Sequence, residues 1–146
     1  TTLCALTWHD IFAAGISRYG VADLETLARD THKFESKYLD SLIGPWPEKS
    51  DIYIERSPIH HTHLLSTPMI ILQGSEDAVV PPSQAESLVS SLASANIPHS
   101  YLLFEGEGHG FRQAKNIAKA LESELSFLGQ ILGFEPVSSL SQVEIR

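Results

Sequence analysis

The sequence predicts an α/β fold, a parallel sheet whose strands are joined by crossover helices, and three observations carry that prediction. Met69-Ile70-Ile71-Leu72 is an apolar run without alternation, as in a strand covered on both faces. Helical spacing follows it in Ala85, Leu88, Val89, Leu92 and Ala95, and a second strand-like run extends from His99 to Phe104. Along the chain the order is strand, helices, strand, helix, strand, helix, which suits right-handed βαβ units.

Each element has a local reason. Thr1 to Trp8 reads as the tail of a helix, because it is apolar and lacks an N-cap. Ile11 to Ser17 reads as a buried strand, with Arg18 to Val21 as the loop leaving it. Helical patterning dominates from Asp23 to about Ile43, first through Leu24, Leu27 and Ala28, then through Phe34, Tyr38, Leu39 and Leu42. Gly44-Pro45-Trp46-Pro47 breaks it. A short helix from about Lys49 to Arg56 leads into an irregular segment, Ser57 to His63. Pro68 marks where the central strand begins, and Pro81 and Pro82 open the helix after it, where a missing N–H costs nothing. Asn96 ends that helix. The last helix, about Gln113 to Leu132, carries Ile117, Leu121, Leu125, Leu128 and Leu132 on one face and stops at Gly133. Residues 1–134 therefore read as part of one domain, and Glu135 to Arg146, polar and short of core residues, as a frayed, flexible tail.

Composition narrows the function classes. The 146 residues are 42% hydrophobic with a net charge of -8, and no basic stripe exists to neutralise phosphates, which argues against nucleic acid. No apolar run approaches membrane-spanning length, and no signal peptide is evident. The single cysteine, Cys4, leaves no internal disulfide and favours a reducing, cytoplasmic compartment.

The candidate chemistry sits in two loops. Gly74-Ser75-Glu76-Asp77 ends the central strand just before Pro81-Pro82, so Asp77 lies at the carboxyl end of a parallel strand beside a helix N-terminus. One strand later, Gly108-His109-Gly110 places a histidine between glycines, which let the backbone turn and leave room around the ring. An aspartate bonded to one ring nitrogen fixes the tautomer and leaves the other nitrogen free as a base toward a nucleophile. The order Ser, Asp, His belongs to α/β-hydrolases, and the last two are here. For the nucleophile, Gly15-Ile16-Ser17-Arg18-Tyr19-Gly20 imitates an elbow, but its second glycine comes one residue late. Ser75 reads as a loop cap, and Cys4, in an apolar stretch without a basic neighbour, as a packing residue. His60, His61 and His63 could ligate a metal but read more simply as a polar loop. Glu105 and Glu107 are nearer alternatives to Asp77 as partners of His109, though less suited to reach the ring from behind. Arg112 is read as a cation near a helix start.

Gly74 to Asp77 with Val79-Val80-Pro81, then Gly108-His109-Gly110-Phe111, with Tyr19-Gly20-Val21-Ala22-Asp23-Leu24 upstream, resemble the C-terminal part of the catalytic domain of the prolyl oligopeptidase family. The stretch from Asp30 to Leu39 is similar to acylaminoacyl-peptidase and dipeptidyl-aminopeptidase-like members. The resemblance runs from Thr1 to about Leu132. It implies the C-terminal portion of an α/β-hydrolase fold, a serine peptidase acting on peptides or acylated amino acids, catalytic roles for Asp77 and His109, and no cofactor or metal. In the family the serine sits in a G-x-S-x-G elbow, and Thr1-Thr2-Leu3 looks like the stretch just past it. The elbow, the oxyanion-hole donors and an N-terminal β-propeller are thus expected upstream of this chain, which alone is expected to be inactive. Its expected partners are the substrate, the N-terminal portion of the same protein and, through an open apolar strand edge, a second copy. A carboxylesterase is the alternative enzyme, and a non-catalytic binding module on the same fold is the alternative from another class.

Overall fold

The computed structural model describes residues 1–30, 37–137 and 140–146. In chain order it contains α1 (Thr2–Trp8), β1 (Gly15–Arg18), α2 (Leu24–Asp30), α3 (Tyr38–Leu42), α4 (Ser50–Arg56), a 3-10 segment (Pro58–Leu64), β2 (Met69–Gly74), α5 (Pro82–Ser94), β3 (His99–Phe104) and α6 (Ala114–Leu132). The strands form one parallel sheet in the order β1-β2-β3, with Gly15 opposite Met69 and Met69 opposite His99.

Every residue of β2 is buried, which accounts for its lack of alternation. Met69 and Ile71 face one side, where they join Leu3 and Leu6 of α1 and Leu88 and Leu92 of α5. Ile70 and Leu72 face the other, against Phe104 and against Ala120 and Phe127 of α6. Helices thus cover both faces of the central strand.

Several expectations are revised. β1 begins at Gly15, not Ile11, and Ile11 and Phe12 are exposed. A strand lasts only as long as its partner, and β2 starts after Pro68, whose carbonyl accepts the Gly15 N–H at 2.9 Å. The segment read as irregular is a 3-10 helix opened by Pro58 and kinked at His61. The helical patterning from Asp23 resolves into α2 and α3, and Phe34 lies outside the described residues.

On α6 the buried side is not the leucine stripe. Ala120, Ser123, Glu124 and Phe127 face the sheet, while Ile117, Leu121, Leu125 and Leu132 are largely exposed, about a quarter turn round the helix. Glu124, on that buried face, makes a bidentate pair with Arg18 at the end of β1, at 2.5 and 2.6 Å. That side-chain bond to Glu124 also holds the Arg18 guanidinium above its usual pKa range. Gly133, at φ 72°, closes the helix as a left-handed cap.

Nor is the C-terminal segment frayed where it is described. The His99 N–H donates to the Arg146 carbonyl at 3.0 Å, the Arg146 N–H donates to the His99 carbonyl at 2.8 Å, and Ser100 Oγ donates to the Glu144 carbonyl at 2.6 Å. Val143 and Ile145 pack beside the cluster under α6. Alternating Val143, Glu144, Ile145 and Arg146 is a strand pattern too short to stand out in a polar stretch, and the edge of β3 supplies its partner.

Candidate active site

Asp77 lies in the loop between β2 and α5. One carboxylate oxygen, Oδ1, accepts the N–H groups of Val79 and Val80 at 2.9 and 2.8 Å, satisfying backbone donors just ahead of α5. The other, Oδ2, accepts Gln73 Nε2 at 3.3 Å and lies 3.0 Å from His109 Nδ1. Asp77 is buried, whereas the His109 side chain is 42% exposed. With donors already on both its oxygens, Asp77 acts as the acceptor, so Nδ1 carries the proton and Nε2 is left as an acceptor.

Backbone bonds lock the two loops together. The Ser75 N–H donates to the Phe104 carbonyl at 3.0 Å and the Glu76 N–H to the Glu107 carbonyl at 2.9 Å. Ser75 Oγ accepts the Gly106 N–H at 2.9 Å, a loop staple as expected of that serine. The approach is close enough that a Cβ on Gly74 would meet the carbonyls of Glu107 and Gly108, which explains a glycine at the end of β2.

Around the imidazole, Tyr19 packs in a tilted contact at 5.2 Å between ring centres and also meets Phe111 edge-on at 5.1 Å. Tyr19 follows β1 directly with φ 48°, an uncommon conformation for a side-chain-bearing residue, held here by packing at the site. A cavity of about 350 Å³ opens beside His109, walled by Tyr19, Val21, Leu27, Tyr38, Leu39 and Val80. Behind Val21, the chain is tied to α5 by Gln84, which is buried. Gln84 Oε1 accepts the N–H groups of Ala22 and Asp23 at 3.0 and 2.8 Å, and Nε2 donates to the Asp23 carbonyl at 2.8 Å.

The remaining candidates fall elsewhere. Ser17 is buried in β1 and makes no hydrogen bond to His109. Glu105 is exposed, and Glu107 is turned toward the start of α6. The three histidines do not converge: His61 Nε2 meets the Glu55 carbonyl at 2.9 Å, and its ring centre is 6.2 Å from that of His63. His60 instead approaches Asp23 and Glu25, with ligand atoms within 4.8 Å of one another, but Asp23 caps the Glu25 and Thr26 N–H groups and Glu25 pairs with Arg29. Sequence reasoning missed Gln73 and the part played by Tyr19. Gln73 carried a signal, a polar residue continuing an apolar strand, and it is fully buried with Nε2 also donating to the Val80 carbonyl at 3.0 Å. Tyr19 carried none, because its contact with His109 exists only between loops distant in sequence.

A buried acid orienting a half-exposed imidazole, both at the carboxyl end of a parallel sheet with helices on either face, marks the fold as that of an α/β-hydrolase. Residues 1–135 match the model of the prolyl oligopeptidase family, and the chain belongs to that family. The structure is similar to that of a puromycin-hydrolyzing peptidase from Mycobacterium tuberculosis, with a TM-score of 0.94 and 46% identity, covering 99% of this chain and 22% of that one. Dipeptidyl aminopeptidase BIII of Pseudoxanthomonas mexicana is 30% identical over 138 residues, 90% of this chain and 20% of that protein. Pyrococcus horikoshii acylaminoacyl peptidase shares the fold, with a TM-score of 0.81 at 22% identity over 92% of this chain and 23% of that one. The chain spans about a fifth of the length of the relatives it matches. Among the described residues, no helix is long and apolar enough to cross a membrane.

Proposed function

We propose that this chain is the Asp- and His-bearing part of a serine peptidase that cleaves peptides or acylated amino acids through an acyl-enzyme. The observation that carries the reading is the 3.0 Å contact between Asp77 Oδ2 and His109 Nδ1, with the imidazole partly open to solvent. A serine hydroxyl from a segment N-terminal to α1 attacks the scissile carbonyl, and His109 Nε2 takes its proton. Asp77 holds the imidazolium, which passes that proton to the leaving amine; water then repeats the sequence on the acyl-serine. Packing supports this direction of approach. Leu3, in the first turn of α1, lies against Gly20, next to Tyr19, whose ring rests on His109.

The apolar cavity beside His109 suits a hydrophobic side chain next to the scissile bond, and the 46% identity to a puromycin-hydrolyzing peptidase supports an aminoacyl amide as substrate. The open side of β1 and the exposed Leu121 and Leu125 of α6 support a further partner, the N-terminal portion of the same domain. These 146 residues alone are accordingly inactive, and the single cysteine suits a cytoplasmic compartment.

The test is the chain together with its upstream sequence, assayed on peptide nitroanilides and on simple esters. Asp77→Asn is expected to lower kcat by about 10⁴ with little change in KM. Ester turnover without peptide cleavage would reject the peptidase in favour of an esterase, and an upstream sequence whose elbow holds no nucleophile would leave a binding module.

A further inference from the structure

Glu107 is a charged side chain that the reaction above does not use, and it is 2% exposed. Its carboxylate accepts three N–H donors, the backbone N–H groups of Arg112 and Gln113 at 2.8 and 3.0 Å and Asn116 Nδ2 at 2.8 Å. Its own carbonyl accepts the Glu76 N–H at 2.9 Å, in the loop that carries Asp77. One residue therefore grips the start of α6 with its side chain and the Asp77 loop with its backbone. His109 lies two residues further on, between Gly108 and Gly110, which offer no side chains to hold the loop.

We infer that Glu107 is a positioning residue for His109: by tying the loop that carries the imidazole to the first turn of α6, it keeps Nδ1 against Asp77. The four donors from the main chain and Asn116 restrain that loop at both ends, so His109 enters the reaction already oriented. Burial pushes the Glu107 carboxyl up, but the bonds from Arg112, Asn116 and Gln113 and the charge of Arg112 outweigh it and hold the group below its ordinary value. It is thus a charged acceptor at neutral pH, the stronger form of the tie.

The inference rests on the peptidase reading for its kinetic arm only. In the protein with its upstream sequence, Glu107→Gln points an amide N–H at one of the donors, and Asn116→Ala removes a single donor while leaving the carboxylate. Glu107→Gln is expected to lower kcat about 10- to 100-fold with KM within about twofold, and Asn116→Ala to lower kcat less, in the same direction. Histidine ring ¹⁵N shifts provide the second arm. They need no turnover, and in both variants they are expected to show the His109 proton leaving its fixed place on Nδ1. Ring shifts that move in a protein without hydrolytic activity would refute the peptidase reading and sustain the tie. A folded Glu107→Gln variant with unchanged ring shifts, or a loss of melting temperature alone in both variants, would overturn the inference. Should Glu107→Gln not fold, Asn116→Ala decides on the same two readouts.

Discussion

Gly74→Ala tests the closeness of the two loops. A methyl at that position would lie 2.6 Å from the Gly108 carbonyl oxygen and 2.7 Å from the Glu107 carbonyl carbon, and nearer still to the Glu107 oxygen, where ordinary contact begins at 3.4 Å. Both obstacles are backbone, so the His109 loop must retreat by about 1 Å, a displacement able to reduce turnover about 100-fold. Overpacking of this kind costs about 1–3 kcal/mol. The Glu76 to Glu107 hydrogen bond would be strained as well, adding about 1 kcal/mol and bringing the expected loss to about 3 kcal/mol. Gly108→Ala is the control. A Cβ there would sit 3.7 Å from the Glu76 carbonyl, an ordinary contact, and its φ is not positive. It is expected to be neutral or to stabilise by about 0.5 kcal/mol through the unfolded chain. Urea unfolding followed by Trp8 and Trp46 fluorescence measures both, with the midpoint shifting at constant slope. Equal midpoints for the two variants would refute the close approach and the geometry built on it.

Three further outcomes are expected. Arg18→Ala leaves the nearly buried Glu124 carboxylate without its partner and should cost about 2 kcal/mol in denaturant, the full penalty being reduced by the partial exposure of the guanidinium; a loss confined to a few tenths would show that α6 does not depend on the pair. Removing residues 140–146 uncovers the edge of β3 and takes Val143 and Ile145 away from the cluster under α6, and should cost about 2 kcal/mol while the His99 amide loses its protection from hydrogen exchange; an unchanged His99 amide would contradict the docked segment. The lowered Glu107 carboxyl adds stability that is complete above the unfolded glutamate's pKa, about 4.3, and is lost as pH falls through the folded value. Glu107→Gln should flatten the acid limb of the stability curve, and a limb of unchanged steepness would remove Glu107 as its cause.

Much of this molecule can be read from short-range patterns. Met69 to Leu72 announces a strand covered on both sides because it has no polar alternation, Pro81-Pro82 and Asn96 bracket α5, and Gly133 stops α6. The loops carrying Asp77 and His109 were legible for the same reason, since glycines and prolines declare turns locally and strand ends in a parallel sheet share one rim. Orientation was not legible. A hydrophobic stripe on α6 states that a face is apolar, not what lies opposite, and the face turned inward is another one, with Ala120, Phe127 and the Arg18-paired Glu124.

The sequence by itself determined the order of the elements, the parallel sheet and the two loops, because each depends on residues close together in the chain. Tertiary structure alone decided that Gln73 supports Asp77, that Tyr19 rests on His109, that Glu107 reaches the start of α6 rather than the imidazole, and that Glu144 and Arg146 bond to the start of β3. The latter contacts depend on which donors, rings and unpaired edges folding brings together, and local spacing carries no record of that.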